Sequence, residues 1–555
     1  MKRILRYIAL SVIALLLLTV AGLSALYLSA DMKQPSIKPG SLPDYPLVWT
    51  DSLRIYGPDH LRLGKSGLWE MTVRGNAAER GTAFGKMAKD LLHYQEEVFV
   101  DQIRRIIPSD SYLKFLRFFL VIFNRNLGTY IPEELRTEIY GLSLSCTHEY
   151  DAIGTPYERQ LNYHAAHDIG HAMQDYMLVG CSSFGVWGKE SADSTLLIGR
   201  NFDFYVGDDF ARNKLVSFYY PSEGYKFASV GWAGMTGVLS GMNETGLTVT
   251  LNAAKSTMPV SAAMPISLLA REILQYASTI DEAYAIARKH RTFVAEALLI
   301  GSAEDGKAAI IEKATDKIAL FRAPGTRIVC TNHFQSGLYA DDARNRENIA
   351  TSDSPYRYER LSELLDENLP VDPPKAAAIL RNRFGKHGKD IGLGNEKALN
   401  QFIAHHAVIF APEKRLMWVS AAPWQSGEFV AYDLKKIFAR PDDTGELSAS
   451  SLSLPPDTFL QSPAFGQLQQ YRLLSGKIRH HIREKEPLDT ETLDRFLSSN
   501  PELYYTWQLA GDYHQTFGNR EKALLYWQKA LTKEIPKAGE KEAIEKRIKK
   551  MNRNE

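Results

Sequence analysis

Cysteine is scarce, with 3 in 555 residues. That is too few for a disulfide-dense scaffold or a four-thiolate metal site. Neither sign of charge is in excess: 66 Lys+Arg stand against 65 Asp+Glu, a formal net charge of +1. A nucleic-acid binder neutralises phosphates with a clear Lys/Arg surplus, so no nucleic acid is expected as a partner. Long uncharged apolar runs are missing everywhere but at the N-terminus. The remaining composition, 45% hydrophobic and 24% charged, is that of globular protein and excludes wholesale disorder. At about 150 residues per domain, the length predicts two or more folded units.

Lys2, Arg3 and Arg6 precede an apolar run from Tyr7 to Leu28. Positive residues followed by apolar ones form the export pattern, and about 22 residues suffice to cross a bilayer about 30 Å thick. The expectation is a signal anchor or a cleaved signal peptide over 1–30. The anchor is the preferred form and would place the rest in a periplasm, tied to the inner membrane. Residues 31–65, rich in Pro, Gly and Asp, read as a tether. Residues 66–180 are mostly helical in pattern, with an amphipathic stretch from Arg80 to Leu92, then Tyr112 to Phe123 and Pro132 to Leu144.

At Gly180 the pattern changes to short β-prone runs: Cys181 to Trp187, Leu196 to Phe204, Leu215 to Tyr220, Phe227 to Trp232, Gly237 to Met242 and Leu247 to Asn252. Two hairpins are predicted, Ala297–Gly301 with Ala308–Lys313 and His406–Phe410 with Leu416–Ser420. A helical hairpin is predicted over Ile266 to His290, its second helix capped by Ser278-Thr-Ile-Asp-Glu282. Strands interrupted by helix blocks indicate an α+β architecture for 181–440. Residues 441–490 read as linker and helices. Within 491–555, Trp507, Gly511, Gly518, Ala523, Trp527, Ala530 and Pro536 resemble one tetratricopeptide unit, a candidate site for a protein partner.

The chemistry-bearing stretch is Val179-Gly-Cys-Ser-Ser-Phe-Gly-Val-Trp-Gly-Lys189, followed by Gly199-Arg-Asn-Phe-Asp-Phe204. Cys181 reads either as a buried core thiol or as a nucleophile exposed by cutting the Gly180–Cys181 bond. In the second case the freed α-amino group, with an unperturbed pKa of about 7.7–8.0, serves as base for its own side chain. His164, His167 and His171 share one helical face beside Asp168, and are read as packing rather than as a metal site. His405 and His406 are read as structural. No metal or cofactor is expected.

Cys-Ser-Ser-Phe with Gly-Arg-Asn-Phe-Asp downstream resembles the start of the mature chain in cysteine N-terminal nucleophile (Ntn) hydrolases. The similarity is to the isopenicillin N acyltransferase (acyl-coenzyme A:6-aminopenicillanic acid acyltransferase)-like family, with choloylglycine hydrolases more distant. Gly75-Asn-Ala-Ala-Glu-Arg-Gly-Thr-Ala-Phe-Gly85, Gly241-Met-Asn-Glu-Thr-Gly-Leu247, Leu251-Asn-Ala-Ala254, Cys330-Thr-Asn-His333 and Ser354-Pro-Tyr-Arg-Tyr-Glu-Arg360 carry the resemblance in the family's order.

It implies an αββα sandwich with a helical N-terminal propeptide region and a C-terminal helical, tetratricopeptide-like extension. Light and heavy subunits would arise from one precursor, acting on a small-molecule N-acyl amide. It also implies that Cys181 is the nucleophile and Gly180 the residue before the cut. Arg200 would lower the thiol pKa, Asp203 would orient the new amino group, and Asn252 and Asn332 would be oxyanion donors. Arg357 would be the distal arginine, with Arg360 competing. Alternatives are a lipid amidase or phospholipase B-like hydrolase on the same nucleophile, and a membrane-tethered interaction protein with an inert core.

Overall fold

A computed structural model describes residues 7, 14–15, 17–26, 29–37, 42–106, 118, 121–172, 178–257 and 262–553. The upstream strands are β1 (Leu47–Trp49), β2 (Leu53–Tyr56), β3 (Asp59–Leu63) and β4 (Trp69–Gly75). Next come β5 (Leu178–Val186), β6 (Leu197–Tyr205), β7 (Leu215–Pro221), β8 (Phe227–Gly231), β9 (Ser240–Asn243) and β10 (Leu247–Ala253). The series continues with β11 (Glu296–Ser302), β12 (Lys307–Lys313), β13 (Ile318–Phe321) and β14 (Arg327–Cys330). It ends with β15 (Ala404–Ala411), β16 (Leu416–Ser420) and β17 (Phe429–Asp433). They form an 11-stranded sheet, β1-β2-β3-β4-β7-β8-β9-β10-β11-β12-β13, and a 6-stranded sheet, β14-β5-β6-β15-β16-β17.

The two sheets share one apolar layer because successive strand residues point to opposite faces. Val408 and Phe410 of β15 join Ile198 of β6, and pack with Val216 and Phe218 of β7 and Leu299 of β11. The alternate residues Ala407 and Ile409 turn the other way, onto Leu361, Leu364 and Leu365 of α8 (Ser354–Asn368), which follows α7 (Ala343–Thr351), and onto Ile379 and Leu380 of α9 (Pro373–Leu380). The outer face of the larger sheet is covered by α5 (Ile266–Tyr276) and α6 (Ile280–Lys289), through Leu268, Leu269 and Ile273 against Val249 and Leu298. The expected cap is present: Thr279 and Glu282 form a reciprocal capping box. The chain is thus a mixed α+β structure with helices on the outer faces of two stacked sheets.

The structure corrects several expectations. Among the described residues, no helix is long and apolar enough to cross a membrane. The anchor, and the inner-membrane placement drawn from it, are set aside; part of the run Tyr7–Leu28 lies outside the described residues. The tether over 31–65 is also corrected, since β1, β2 and β3 fall within it. β4 then opens the segment read as helical, pairing in parallel with β7 over seven residues from Trp69↔Leu215 to Gly75↔Pro221. Most of the predicted helix Tyr112–Phe123 lies outside the described residues.

Upstream helices α1 (Ala77–Met87), α2 (Lys89–Ile106), α3 (Glu133–Ser143) and α4 (Pro156–Ala172) pack beside α5. A buried ionic cluster joins them: Glu138 accepts from Arg80 Nε at 2.9 Å and from Arg271 Nη1 and Nη2 at 3.1 Å. All three side chains are at most 1% exposed. Glu138→Ala would leave two guanidinium groups buried without their shared carboxylate. We expect a loss of about 3–5 kcal/mol in unfolding free energy, read by denaturant titration.

The C-terminal helices Pro463–Glu484, Thr490–Ser499, Tyr504–Thr516, Arg520–Leu531 and Ala538–Arg553 share a core built around Trp527, Phe496 and Ile544. Gly511 is obligatory there, because a Cβ would lie 2.4 Å from the Trp527 ring. The tail is fastened to the main body through Asn500, which exchanges hydrogen bonds with the backbone of Leu393, and through Glu534, paired with Lys389 and Lys397.

Candidate active site

β5 lies between β14 and β6, and register alone places most of the site. Gly180 faces Asp203, Cys181 faces Phe202 and Ser183 faces Arg200 across the β5–β6 ladder. On the other side Cys330 pairs with Ser183, which brings Asn332, two residues on, alongside Cys181. Positions 200 and 203 differ by an odd number, so their side chains leave β6 on opposite faces. Arg200 turns inward, and its Nη2 lies 3.8 Å from Cys181 Sγ. It is also held by the carbonyls of Leu239 and Leu251 and by Ser240 Oγ.

Asp203 turns toward the α8 side. Neither of its carboxylate oxygens has a hydrogen-bond partner among the described residues, and the residue is fully buried. It therefore makes no ion pair with Arg200. Burial pushes its carboxyl up to about 8, against the opposing pull of the Arg357 and Arg200 charges.

Cys181 is 1% exposed. Burial pushes its thiol up to about 11, with Arg200 acting in the opposite direction. Its backbone is clamped at both polar atoms. The Cys181 N–H donates to Asn332 Oδ1 at 2.9 Å, and its carbonyl accepts from Arg357 Nη1 at 2.7 Å. Arg357 Nη2 also donates to Asn332 Oδ1 at 2.7 Å, and Arg357 Nε to Asp353 at 3.1 Å. Arg360, one turn on, faces Glu363 and Glu367 instead. The structure thus distinguishes two arginines that the sequence left equivalent.

Gly180 is extended backbone rather than left-handed, and the case for glycine there is close packing. A Cβ would lie 2.9 Å from Gln401 Nε2, an amide nitrogen with no hydrogen-bond partner among the described residues. Nothing in the sequence marked Gln401.

The two asparagines differ in what they have to spare. Asn252 Nδ2 donates to the carbonyls of both Cys330 and Thr331, at 3.1 and 3.3 Å. Asn332 Nδ2 donates to Ala253 O at 2.9 Å, which leaves one of its two amide hydrogens uncommitted among the described residues. Asn332 is therefore the better placed of the two to donate to a developing negative charge.

All three cysteines are free thiols. His164 is satisfied by Gln160 O and Thr236, while the side chains of His167, Asp168 and His171 lie outside the described residues. Among the described residues no group of His, Cys, Asp and Glu could hold a metal ion. A narrow cleft opens beside Phe204, two residues along β6 from Phe202. Its walls are Leu92, Phe99, Tyr163, Phe210, Trp232 and Met235, with Gln95, Glu96, Gln160 and His164 among them. Phe204 and Trp232 stack with centroids 5.9 Å apart. Half of this lining comes from α2 and α4, upstream of the candidate cut.

Residues 189–422 match the family described as acyl-coenzyme A:6-aminopenicillanic acid acyl-transferase. That segment holds Arg200, Asp203, Asn252, Asn332 and Arg357, and begins just downstream of Cys181. An uncharacterized protein of Archaeoglobus fulgidus is 25% identical over 368 residues, covering 59% of this chain and 60% of the relative. Protein dcd1B of Dictyostelium discoideum is 24% identical over 266 residues, covering 44% of this chain and 50% of the relative. The chain thus spans between half and three fifths of the length of these curated relatives. An N-acylethanolamine-hydrolyzing acid amidase ortholog from Caenorhabditis elegans aligns with TM-score 0.31 and 15% identity, over 42% of this chain and 93% of that one. A mutant conjugated bile acid hydrolase from Clostridium perfringens aligns with TM-score 0.31 and 13% identity, over 46% and 93%.

Proposed function

Because residues 189–422 match the acyl-coenzyme A:6-aminopenicillanic acid acyl-transferase family, we propose that the whole chain is a self-processing cysteine amidohydrolase. It would cut its own Gly180–Cys181 bond and then act on carbon–nitrogen amide bonds of an N-acyl substrate. The observation that carries this reading is the convergence of Arg200, Asn332 and Arg357 on the Sγ, N–H and carbonyl of Cys181. A structural thiol has no need of three separate polar holders.

In the first stage Sγ attacks the Gly180 carbonyl carbon, the C–N bond breaks, and Gly180 is carried on sulfur as a thioester. The nitrogen of Cys181 leaves as a free amine, and water releases Gly180 as a carboxylate. In turnover the same amine takes the thiol proton while Sγ attacks the substrate carbonyl. The tetrahedral intermediate accepts the spare Asn332 hydrogen. Its collapse expels the substrate amine, which leaves with the proton, and water or a second amine then resolves the thioester. Asp203 would gain a partner at the cut, since it pairs across the β5–β6 ladder with Gly180, the residue before the new terminus. The αββα description, with 66–180 as a light piece and a tetratricopeptide-like tail over 491–555, belongs to this reading.

Two experiments test it. Intact mass of the protein quenched in acid during exposure to N-acyl amides of varied chain length should show one acyl group added to the fragment beginning at Cys181. An unmodified single chain with every amide tried would count against it. The second concerns the two pieces after the cut. β4 is a full partner of β7, and the Arg80–Glu138–Arg271 cluster spans both pieces. They should co-migrate in size-exclusion chromatography at native pH and separate only in denaturant.

A further inference from the structure

A chain of buried polar side chains runs from the guanidinium beside Cys181 to the pair of histidines that the sequence left as structural. β15 shifts register against β6 between Ala404↔Asp203 and His406↔Phe202, so His405 is an inserted residue. A bulge of this kind brings neighbouring side chains to one side of a strand. Both imidazoles pack on Phe202, with centroids at 6.4 and 5.1 Å.

Arg200 sets the first role in this chain. A guanidinium carries no acceptor, so Ser240 Oγ accepts from Arg200 Nη1. Its single hydroxyl hydrogen is then available for His406 Nε2, 2.8 Å away. With Ser240 donating, His406 holds its proton on Nδ1 and donates it to His405 Nδ1 at 2.9 Å. The His405 proton then sits on Nε2, which has no hydrogen-bond partner among the described residues. The ring lies edge-on to Trp232, with centroids 5.1 Å apart.

We propose that Ser240 and His406 are positioning residues for Cys181. The chain His405–His406–Ser240 clamps Arg200 so that its Nη2 stays 3.8 Å from the thiol. The proposal rests on the reading of Cys181 as nucleophile. Both histidines are fully buried. The charged and titratable groups facing His406 are His405 on its own strand, Arg200 from β6 and Lys214 from the turn before β7, and all three oppose its protonation. Lys214 itself is buried on the carbonyls of Ser420 and Trp424. With both imidazoles neutral, the acceptor that Ser240 needs at His406 Nε2 is present throughout the pH range in which a cysteine hydrolase works.

The test compares Ser240→Ala, His406→Phe and His406→Gln in the full chain. Phenylalanine keeps a ring without an acceptor, whereas glutamine keeps both an acceptor for Ser240 and a donor for His405. The rate of the Gly180–Cys181 cut is tracked by mass spectrometry from pH 5 to 9. Ser240→Ala and His406→Phe should cut at least 10-fold more slowly, with the midpoint of the profile moved to higher pH by about one unit. His406→Gln should keep the native profile. Native profiles in all three variants, or a His406→Gln as impaired as His406→Phe, would overturn the proposal.

A second readout does not depend on cutting. Protein labelled with nitrogen-15 histidine should show His406, assigned by its loss in His406→Gln, as the neutral Nδ1–H form. An Nε2–H form or an imidazolium there would overturn the clamp. A native chain that never cuts but shows the Nδ1–H form would count against the hydrolase reading and leave the clamp standing.

Discussion

The native protein, purified and sequenced from both ends of its fragments, should yield a piece beginning Cys181-Ser-Ser-Phe, and Cys181→Ala should yield one uncut chain. The effect is all-or-none because the substitution removes the sulfur that makes the proposed cut. Gly180 and Cys181 are buried in β5, paired with β6 on one side and, at Cys181, held by the Asn332 and Arg357 side chains, where no exogenous protease reaches extended backbone. The thiol is buried and held up at about 11, so it is protonated at neutral pH. Attack therefore requires Arg200 to favour the thiolate and a nearby group to take the proton. Arg200→Met should consequently slow the cut even though the nucleophile is intact. A Cys181→Ala protein still nicked at this bond would refute self-processing, and N-terminal sequencing decides it.

Asp203→Asn has the second largest expected effect, and its sign differs between the uncut and cut forms. In the uncut chain the carboxyl keeps its proton up to about 8, whereas in the unfolded chain it loses it near 3.9. Between those values unfolding releases a proton, so raising the pH weakens the fold. In a Cys181→Ala background, Asp203→Asn should therefore stabilise the uncut chain by a few kcal/mol at pH 8. The difference should shrink steadily as the pH falls and vanish below about 4. Thermal unfolding of the two proteins at four pH values checks this, and equal pH slopes would show that the carboxyl is not buried unpaired. In the proposed cut form the same substitution would remove the acidic partner of the new amino group. Amide turnover should then drop on the order of 100-fold.

Much of this was legible locally. The β-prone runs after Gly180 predicted β5, β6, β7, β8, β10, β11, β12, β15 and β16 within a few residues, because a buried strand is apolar along its length whatever it pairs with. The Thr279–Glu282 cap was readable because both partners lie within one turn. The opposite directions of Arg200 and Asp203 come from parity along β6. β1 to β4 were missed for the converse reason: short, Gly- and Pro-flanked segments become strands only by pairing, and β4 pairs with β7, more than a hundred residues downstream.

The membrane expectation failed differently. An apolar run of adequate length licenses a spanning helix without requiring one, and no described helix meets the length.

The sequence by itself determined the order of the elements, their periodicity, and the cluster of residue types from Gly180 to Asp203 that identifies a candidate cysteine nucleophile. Each of these is written within a few residues, over which backbone geometry and side-chain chemistry act without help from the rest of the chain. Only the tertiary structure decided which arginine of α8 reaches Cys181, which asparagine has a hydrogen to spare, and that the Asp203 carboxyl has no hydrogen-bond partner among the described residues. It also turned His405 and His406 from a strand's first residues into the far end of a clamp on Arg200. Those outcomes depend on register between strands distant in the chain and on one inserted residue in β15. Such pairings are selected by packing across the sheet, where no local pattern records them.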